Sequence, residues 1–266
     1  MKEDPLVTVI IACYNGERFI DRCISALINQ TYQNIEIIIC DDCSTDNSLQ
    51  MCRKWESMDH RVKVLHNEKN MYSAYSRNRC IEKAEGEYVV IQDIDDVSKP
   101  DRIERLVRHI KDKKVDFVGA SMEIIDNPSL NGKVLRKENK KPTKYSFLKN
   151  FPFFHPTMIF SKKCLEHVGG YRVAPETRRG QDYDMVMRLY AAGYKGVNVD
   201  EVLYLYCLDE SNIKRRSFSA RLGEMKIRAY GYKKMKIFFP LRIFCLLPLA
   251  LGIVDAFHYG IGYRNG

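Results

Sequence analysis

Residues 89–96 read Val-Val-Ile-Gln-Asp-Ile-Asp-Asp. The apolar start has the composition of a strand buried on both faces, and it delivers three carboxylates, Asp93, Asp95 and Asp96, at its carboxyl end. Carboxylates this close repel unless a proton or a cation neutralises them, and a hard divalent ion suits an all-oxygen set. The plain alternative is an acidic turn capping the helix that starts near Pro100. The flanking sequence decides between the two.

Upstream, residues 6–13 form a β-branched run that ends in the turn signal Tyr14-Asn15-Gly16. Phe19, Ile20, Cys23, Ile24, Leu27 and Ile28 then recur at helical spacing over 17–29. A second strand at 35–40 ends in Asp41-Asp42-Cys43-Ser44-Thr45-Asp46, where Ser44 or Thr45 is predicted to cap a helix over 47–57. A strand at 62–65, a helix at 74–84, the strand at 88–92, a helix at 100–111 and a strand at 116–120 complete the first half. Alternating strands and helices with short polar connections predict an α/β fold, a mainly parallel, Rossmann-like sheet flanked by helices. Ligands of such sheets gather at the carboxyl ends of the strands. Tyr14, Asp41, Asp42, Asp93, Asp95 and Asp96 all fall on that rim. The first strand runs into Cys-Tyr-Asn-Gly and not a Gly-x-Gly-x-x-Gly turn, which excludes a dinucleotide-dependent oxidoreductase.

Beyond Ser121 the pattern changes. Residues 127–143 read as an exposed loop or irregular hairpin, followed by His155-Pro156-Thr157, a strand at 158–160 and a short helix ending at Gly169-Gly170-Tyr171. Gly180-Gln181-Asp182-Tyr183-Asp184 precedes a helical segment at 185–192, and strands near 196–199 and 202–206 finish the body. His155 has no nucleophile or metal-ligand spacing around it and reads as structural.

The 266 residues carry a net charge of +9, with 45% apolar and 29% charged side chains. Residues 213–242 hold ten basic side chains and one acid, so the rest of the chain is neutral. A neutral body with one basic segment points to an anionic membrane surface and away from nucleic acid. The opening Met-Lys-Glu-Asp-Pro has no apolar leader, and nine cysteines make an odd number, so reduced thiols on the cytoplasmic side are expected. Cys40 and Cys43 lack the second pair or the histidines of a zinc site.

The ordered set Val-Thr-Val-Ile-Ile-Ala-Cys-Tyr-Asn, Asp-Asp-Cys-Ser-Thr-Asp, Ser-Arg-Asn-Arg, Asp-Ile-Asp-Asp with Pro100, Gly-Gly-Tyr and Gln-Asp-Tyr-Asp resembles a family 2 glycosyltransferase of the GT-A fold. The resemblance covers residues 6–206. It implies a catalytic domain over 1–212, with a nucleotide-sugar-binding half at 1–120 and an acceptor half at 121–212, and a separate basic, apolar and helical membrane-associating tail at 213–266. It implies an inverting transfer of a sugar from a nucleoside-diphosphate sugar to a hydroxyl of a glycan or lipid-linked glycan, in cell-surface polysaccharide or glycolipid synthesis. A non-catalytic sugar-nucleotide-binding or scaffold protein of the same fold is the alternative.

By the same resemblance Tyr14 lies against the nucleotide base, Asp42 accepts a hydrogen bond from it, and Arg77 and Asn78 stand near the sugar or phosphates. Asp93 and Asp95 hold Mg²⁺ or Mn²⁺, with Asp95 the direct ligand, and Asp182 is the catalytic base. Read without the resemblance, Asp42 and Asp182 are helix-capping acids, Tyr14 is a strand-end residue, and Arg77 is a solvated helix charge. The chain departs from the family pattern at Gln181, where Glu is common, at Met71, where Gly is usual, and after Tyr206, where Cys207, Leu208 and Asp209 replace the expected Arg and His. The loop 208–216 still offers Lys214, Arg215 and Arg216 for closing over the nucleotide.

The tail contains a run of twelve uncharged apolar positions, 243–254, weakened as a helix by Pro248 and Gly252. A membrane span needs about 20 apolar residues. A peripheral or monotopic anchor on the cytoplasmic side of the membrane is the leading expectation, with a single span or a helix packed on the body as alternatives.

Overall fold

The computed structural model describes residues 4–208 and 218–251. Four strands, β1 (Val7–Cys13), β2 (Ile35–Asp41), β3 (Val62–His66) and β4 (Tyr88–Asp93), lie parallel in the order β3-β2-β1-β4. Their side chains alternate between two buried layers. Val7, Val9 and Ile11 pack under α1 (Ile20–Ile28), α2 (Ser48–Met58) and α4 (Arg102–Lys113), while Ile10, Ile38 and Ile91 meet α3 (Tyr72–Lys83) on the opposite face. Each fully buried Val or Ile contributes about 1.5–3 kcal/mol, so burial on both faces fixes the register: a one-residue slip would exchange the layers.

The sheet continues β4-β8-β6-β9-β5. Here β8 (Ile159–Ser161) runs antiparallel to both β4 and β6 (Phe117–Ile125), while β9 (Gly196–Cys207) is parallel to β6. Single reversal at β8 leaves β6 and β9 pointing the same way as β1–β4. The order 3-2-1-4 places the topological switch point between β1 and β4, where ligands of such sheets bind. Two short strands are edge pieces: β5 (Val97–Ser98) pairs with β9, and β7 (Val134–Leu135) closes an irregular hairpin on β6. The helices α5 (Lys162–His167) and α6 (Gln181–Ala191) lie on the α3 side.

Some local expectations need correction. The cap of α2 is neither Ser44 nor Thr45: Asn47 holds the N-cap position without a side-chain cap bond, and the Asp46 carboxylate before it accepts from the Ser48 amide at 3.0 Å. Ser44 instead accepts from the Asn15 amide at 3.0 Å, which joins the loops after β1 and β2. Strands predicted at 196–199 and 202–206 are one strand with an irregularity in its pairing to β6, and β6 runs on to Ile125. Asp182 is not an N-cap, because α6 begins at Gln181 after Gly180, whose φ of 91° suits glycine.

Helix α7 (Phe218–Lys234) packs against α6, burying Ile227, Arg228, Gly231 and Tyr232, and the Tyr232 hydroxyl donates to the Phe147 carbonyl at 2.9 Å. A 3-10 turn at Phe239–Leu246 follows and leaves Phe238, Phe239 and Ile243 about two-thirds or more exposed. Among the described residues no helix is long and apolar enough to cross a membrane. Lys214, Arg215, Arg216 and the end of the apolar run lie outside the described residues.

At the amino-terminal edge of the sheet, buried Glu36 accepts from Thr8 Oγ1 at 2.6 Å, Lys63 Nζ at 2.8 Å and the Glu85 amide at 2.7 Å. One carboxylate thereby ties β1, β2, β3 and the turn into β4. Burial opposes its charge, but Lys63, Thr8 and the Glu85 amide outweigh burial and hold the group below the ordinary glutamate range. The unfolded chain therefore takes up this proton first as pH falls, and the stabilisation is present above the ordinary pKa and lost below the folded one. Replacement by Ala is expected to cost about 2–4 kcal/mol at pH 7 in denaturant melts, from the stranded donors. In Glu36→Gln the deficit should shrink below about pH 4; a deficit independent of pH would show that charge is not the stabilising element.

Candidate active site

The loops after β1 and β2 are laced together before they meet any ligand. Asn15, at φ 51°, accepts from the Thr45 amide at 2.8 Å, and the Gly16 amide donates to Ser48 Oγ at 2.8 Å. Tyr14 projects from this lacing with 49% of its surface exposed. Asp42 is buried beside it, its amide on the Cys13 carbonyl at 2.7 Å. Asp42 Oδ1 accepts from Asn67 Nδ2 at 2.7 Å and the Met71 amide at 2.8 Å, so this acid shapes the loop into α3. Met71 needs no glycine, because it has φ −107°; the left-handed residue is Tyr72 at φ 67°, whose ring lies 4.4 Å from the Arg178 guanidinium. Asp41 accepts from His66 Nδ1 at 3.0 Å and leaves Oδ1 buried without a partner.

Register sets Asp93 beside Ala12 and Asp41 beside Cys13. Two strand spacings, about 10 Å, separate the two acidic clusters across the end of β1. The turn after β4 rests on a platform of buried polar groups. Gln92 Nε2 donates to the carbonyls of Asp93 and Asp96 at 2.8 and 3.0 Å. Arg102, fully buried, donates to Gln92 Oε1, Ser98 Oγ and the Ile91 and Pro156 carbonyls within 2.7–2.9 Å, and its guanidinium lies 4.6 Å from the Tyr204 ring centre. Tyr204 Oη in turn accepts from the Asp93 amide at 3.1 Å.

On that platform the three acids diverge. Asp93 Oδ1 accepts from Arg77 Nη2 at 2.7 Å, and Arg77 is buried with Nε and Nη1 unpartnered. It is therefore no solvated helix charge. Burial and then the charge of Asp93 push Asp95 up to about 6, while its carbonyl accepts from Arg22 Nη2 at 2.9 Å. Asp96 is buried and accepts from the Cys207 amide at 2.7 Å; burial and then the charges of Asp93 and Asp95 push its carboxyl well up from the ordinary range, and the residue fixes the end of β9.

A cation fits this turn. Crowding disfavours the charges of Asp95 and Asp96, and the donors are all hard oxygens. Among the described residues no three acid, His or Cys side chains form a complete ion cage. Asp93 and Asp95 supply part of an octahedral shell, and oxygens of a diphosphate and water would supply the rest.

Asp182, in the first turn of α6, feels the charges of Arg77 and Asp93; burial raises its pKa, against the Tyr183 amide and Arg77. The same Arg77 stands 5.8 Å from the Tyr171 ring, whose hydroxyl is 2.8 Å from His155 Nε2. Asn78 spends both ends of its amide on the Tyr171 backbone, at 2.7 Å each, and acts by holding Gly170-Tyr171 in place. Gly170 at φ 62° is required there, since a Cβ would lie 2.4 Å from Asn78 Oδ1. Gln181 donates to Ser73 Oγ at 3.3 Å, which links α6 to α3. The structure thus pairs Arg77 with Asp93 and sets Asp182 within reach of both charges, while Tyr14 and Asp42 belong to the loops after β1 and β2. Sequence reasoning missed Gln92, Arg102, Tyr204 and Arg22. Only the short distance of Arg102 from the acidic stretch could have signalled its role.

The sequence profile of glycosyl transferase family 2 matches residues 8–169. Glycosyltransferase GlyG of Streptococcus pneumoniae is 32% identical over 242 residues, covering 86% of this chain and 79% of that protein. The Escherichia coli UDP-Glc:alpha-D-GlcNAc-diphosphoundecaprenol beta-1,3-glucosyltransferase WfgD is 28% identical over 216 residues, 81% of this chain and 82% of its own. Among solved structures, the mannosyltransferase PcManGT from Pyrobaculum calidifontis, in complex with GDP-Man and Mn²⁺, superposes with a TM-score of 0.64 at 16% identity, covering 99% of this chain and 81% of that one. A profile that spans most of the sheet and a relative aligned over most of both chains agree with the architecture: the chain belongs to glycosyl transferase family 2 and is a glycosyltransferase of the GT-A fold.

Proposed function

We propose that the chain transfers a sugar from a nucleoside-diphosphate sugar to an acceptor hydroxyl by a single inverting displacement, with Asp182 as base. The observation that carries this reading is the convergence of Asp182 with the Arg77–Asp93 pair at the carboxyl ends of the strands. Tyr14 offers an exposed ring for the base of the nucleotide, and Asp42 holds the loop that borders it. Asp93 and Asp95 would hold Mg²⁺ or Mn²⁺, which when bound disperses the charge developing on the departing diphosphate. The two unpartnered nitrogens of Arg77 have hydrogen bonds to give to a phosphate or sugar oxygen. The attacking hydroxyl loses its proton to Asp182 as its oxygen bonds the anomeric carbon and the bond to the diphosphate breaks. A carboxyl raised by burial matches a base working near neutral pH. The similar proteins, which include an enzyme named for a UDP-glucose donor and a diphosphoundecaprenol acceptor and a mannosyltransferase in complex with GDP-Man and Mn²⁺, support the donor class, the metal and a lipid-linked acceptor in polysaccharide synthesis.

We also place the tail on an anionic membrane surface at the cytoplasmic side. Exposed Phe238, Phe239 and Ile243 lie next to Lys233, Lys234, Lys236 and Arg242. Each basic residue near an anionic leaflet contributes about 1 kcal/mol, and apolar burial adds a part that salt does not screen. Helix α7 covers α6, so point changes test the tail more cleanly than truncation.

Diphosphate release from a panel of sugar nucleotides is the direct test. Asp95→Asn is expected to lower turnover about 10²-fold or more and to weaken divalent-dependent donor binding with the fold intact; full activity in that variant would remove the metal role. Asp182→Asn should lower kcat about 10²–10⁴-fold while donor affinity stays within about threefold. Collapse of donor binding in that variant would make Asp182 a donor-site residue. In flotation assays with anionic vesicles, Phe239→Glu with Ile243→Glu should release the protein, and retention at wild-type levels would show that these side chains do not enter the membrane.

A further inference from the structure

A cavity of about 740 Å³ opens at the carboxyl end of α6, bordered by the loop at 140–144, the end of α4 and the start of β9. That size is within the roughly 300–1,000 Å³ of small-molecule sites. From Asp182 to Tyr190 the helix rises about 12 Å, and Gly196 and Val197 stand at the amino-terminal end of their strand. The cavity therefore shares no lining residue with the rim where the strands end.

Its lining holds five lysines and no acid. Lys113, Lys141 and Lys195 are exposed and have no ion pair among the described residues. Lys144 gives its Nζ to the Met235 and Lys236 carbonyls, at 3.3 and 3.4 Å, and so keeps its charge unanswered. Lys140 is answered by Asp200. The Asp116 carboxylate nearby accepts from the Lys195 amide at 2.8 Å. The rest of the wall is largely hydrocarbon. Val115, Pro142 and Val197 contribute aliphatic carbon, and two tyrosines contribute rings whose hydroxyls are already engaged. Tyr190 Oη donates to the Pro142 carbonyl at 2.9 Å, and Tyr194 Oη lies 2.7 Å from His167 Nδ1. Asn198 likewise spends its amide nitrogen on the Asn139 and Pro152 carbonyls, at 2.9 Å each.

We propose that this cavity is a second ligand site, for an aromatic anion that carries two or more negative charges. Charges of one sign around a low-dielectric wall reinforce one another, and several ammonium groups without a carboxylate call for more than one negative charge. The tyrosine rings and aliphatic carbon call for a planar apolar body, to which a lysine over the ring face adds attraction. An inorganic polyphosphate would leave the apolar wall unmatched, and a neutral aromatic would leave the lysines unmatched. A neutral sugar would press its hydroxyls against carbon. The proposal depends neither on Asp182 nor on the donor rim.

The test is fluorescence anisotropy of 8-methoxypyrene-1,3,6-trisulfonate with the full chain in chelator, where the acidic rim has no cation with which to attract an anion. The probe is expected to bind about tenfold or more tighter than tripolyphosphate, 2-naphthol or dodecyl phosphate compete for it. Lys113→Gln with Lys195→Gln, both at exposed positions, should weaken the probe about tenfold, and Val197→Glu should do the same by placing an acid in the wall. Absence of probe binding to the wild-type chain would overturn the site. Equal affinity for tripolyphosphate would overturn the apolar wall as a determinant, equal affinity for 2-naphthol the lysines, and equal affinity for dodecyl phosphate the aromatic preference. Wild-type affinity in the double lysine variant, with loss in Lys233→Gln with Lys234→Gln, would put the probe on the basic tail and overturn the location.

Discussion

The constraint on which the site depends is the repulsion among Asp93, Asp95 and Asp96, and the buried guanidinium of Arg102 is what holds their turn in shape. Among the described residues Arg102 has no carboxylate partner at hydrogen-bond distance; carbonyls, an amide oxygen, a hydroxyl and the face of Tyr204 surround it. Burial drives its pKa down to about 10, partly offset by Tyr204 and the nearby Asp96, so it remains charged at neutral pH. A fixed cation beneath an acidic turn lets the carboxylates stay close while awaiting a ligand. The same residues order β4, the short β5 and β9, so the turn cannot relax without disturbing the sheet.

The catalytic rim is assembled from segments far apart in the chain. Arg77 on α3 reaches Asp93 on β4, while its neighbour Asn78 clamps Tyr171 at 2.7 Å. Two successive residues of one helix thus address both halves of the protein. This arrangement gives Asp93 and Tyr171 one rigid support.

The sequence exposed the parts whose chemistry coincides with a strand end. β1, β2 and β4 were legible because their apolar runs stop at Tyr14, Asp42 and Asp93, and their burial on both faces agrees with those continuous runs. Arg102 was not, because a buried arginine in an amphipathic helix has the same spacing as an exposed one. Direction of β8 was hidden as well: three apolar residues carry no sign of whether they run with or against their neighbours. Neither Ser44 nor Thr45 caps α2, because Asn15 claims both from another loop, a contact of high sequence separation. Gly180 opened α6 for a conformational reason, its positive φ, that the acid-rich sequence after it obscured.

The reversed strand β8 matters for inheritance as much as for geometry. It joins β4 through three residue pairs and β6 through two, whereas β1 and β2 share seven. The parallel strands β1–β4 lie on one side of this seam and β6 and β9 on the other, both packed layers draw residues from either side, and α6 and α7 line a cavity. Mutations in those walls disturb few pairings of the parallel core. Sequence change can therefore accumulate on the far side of a three-residue strand while the parallel core is held constant.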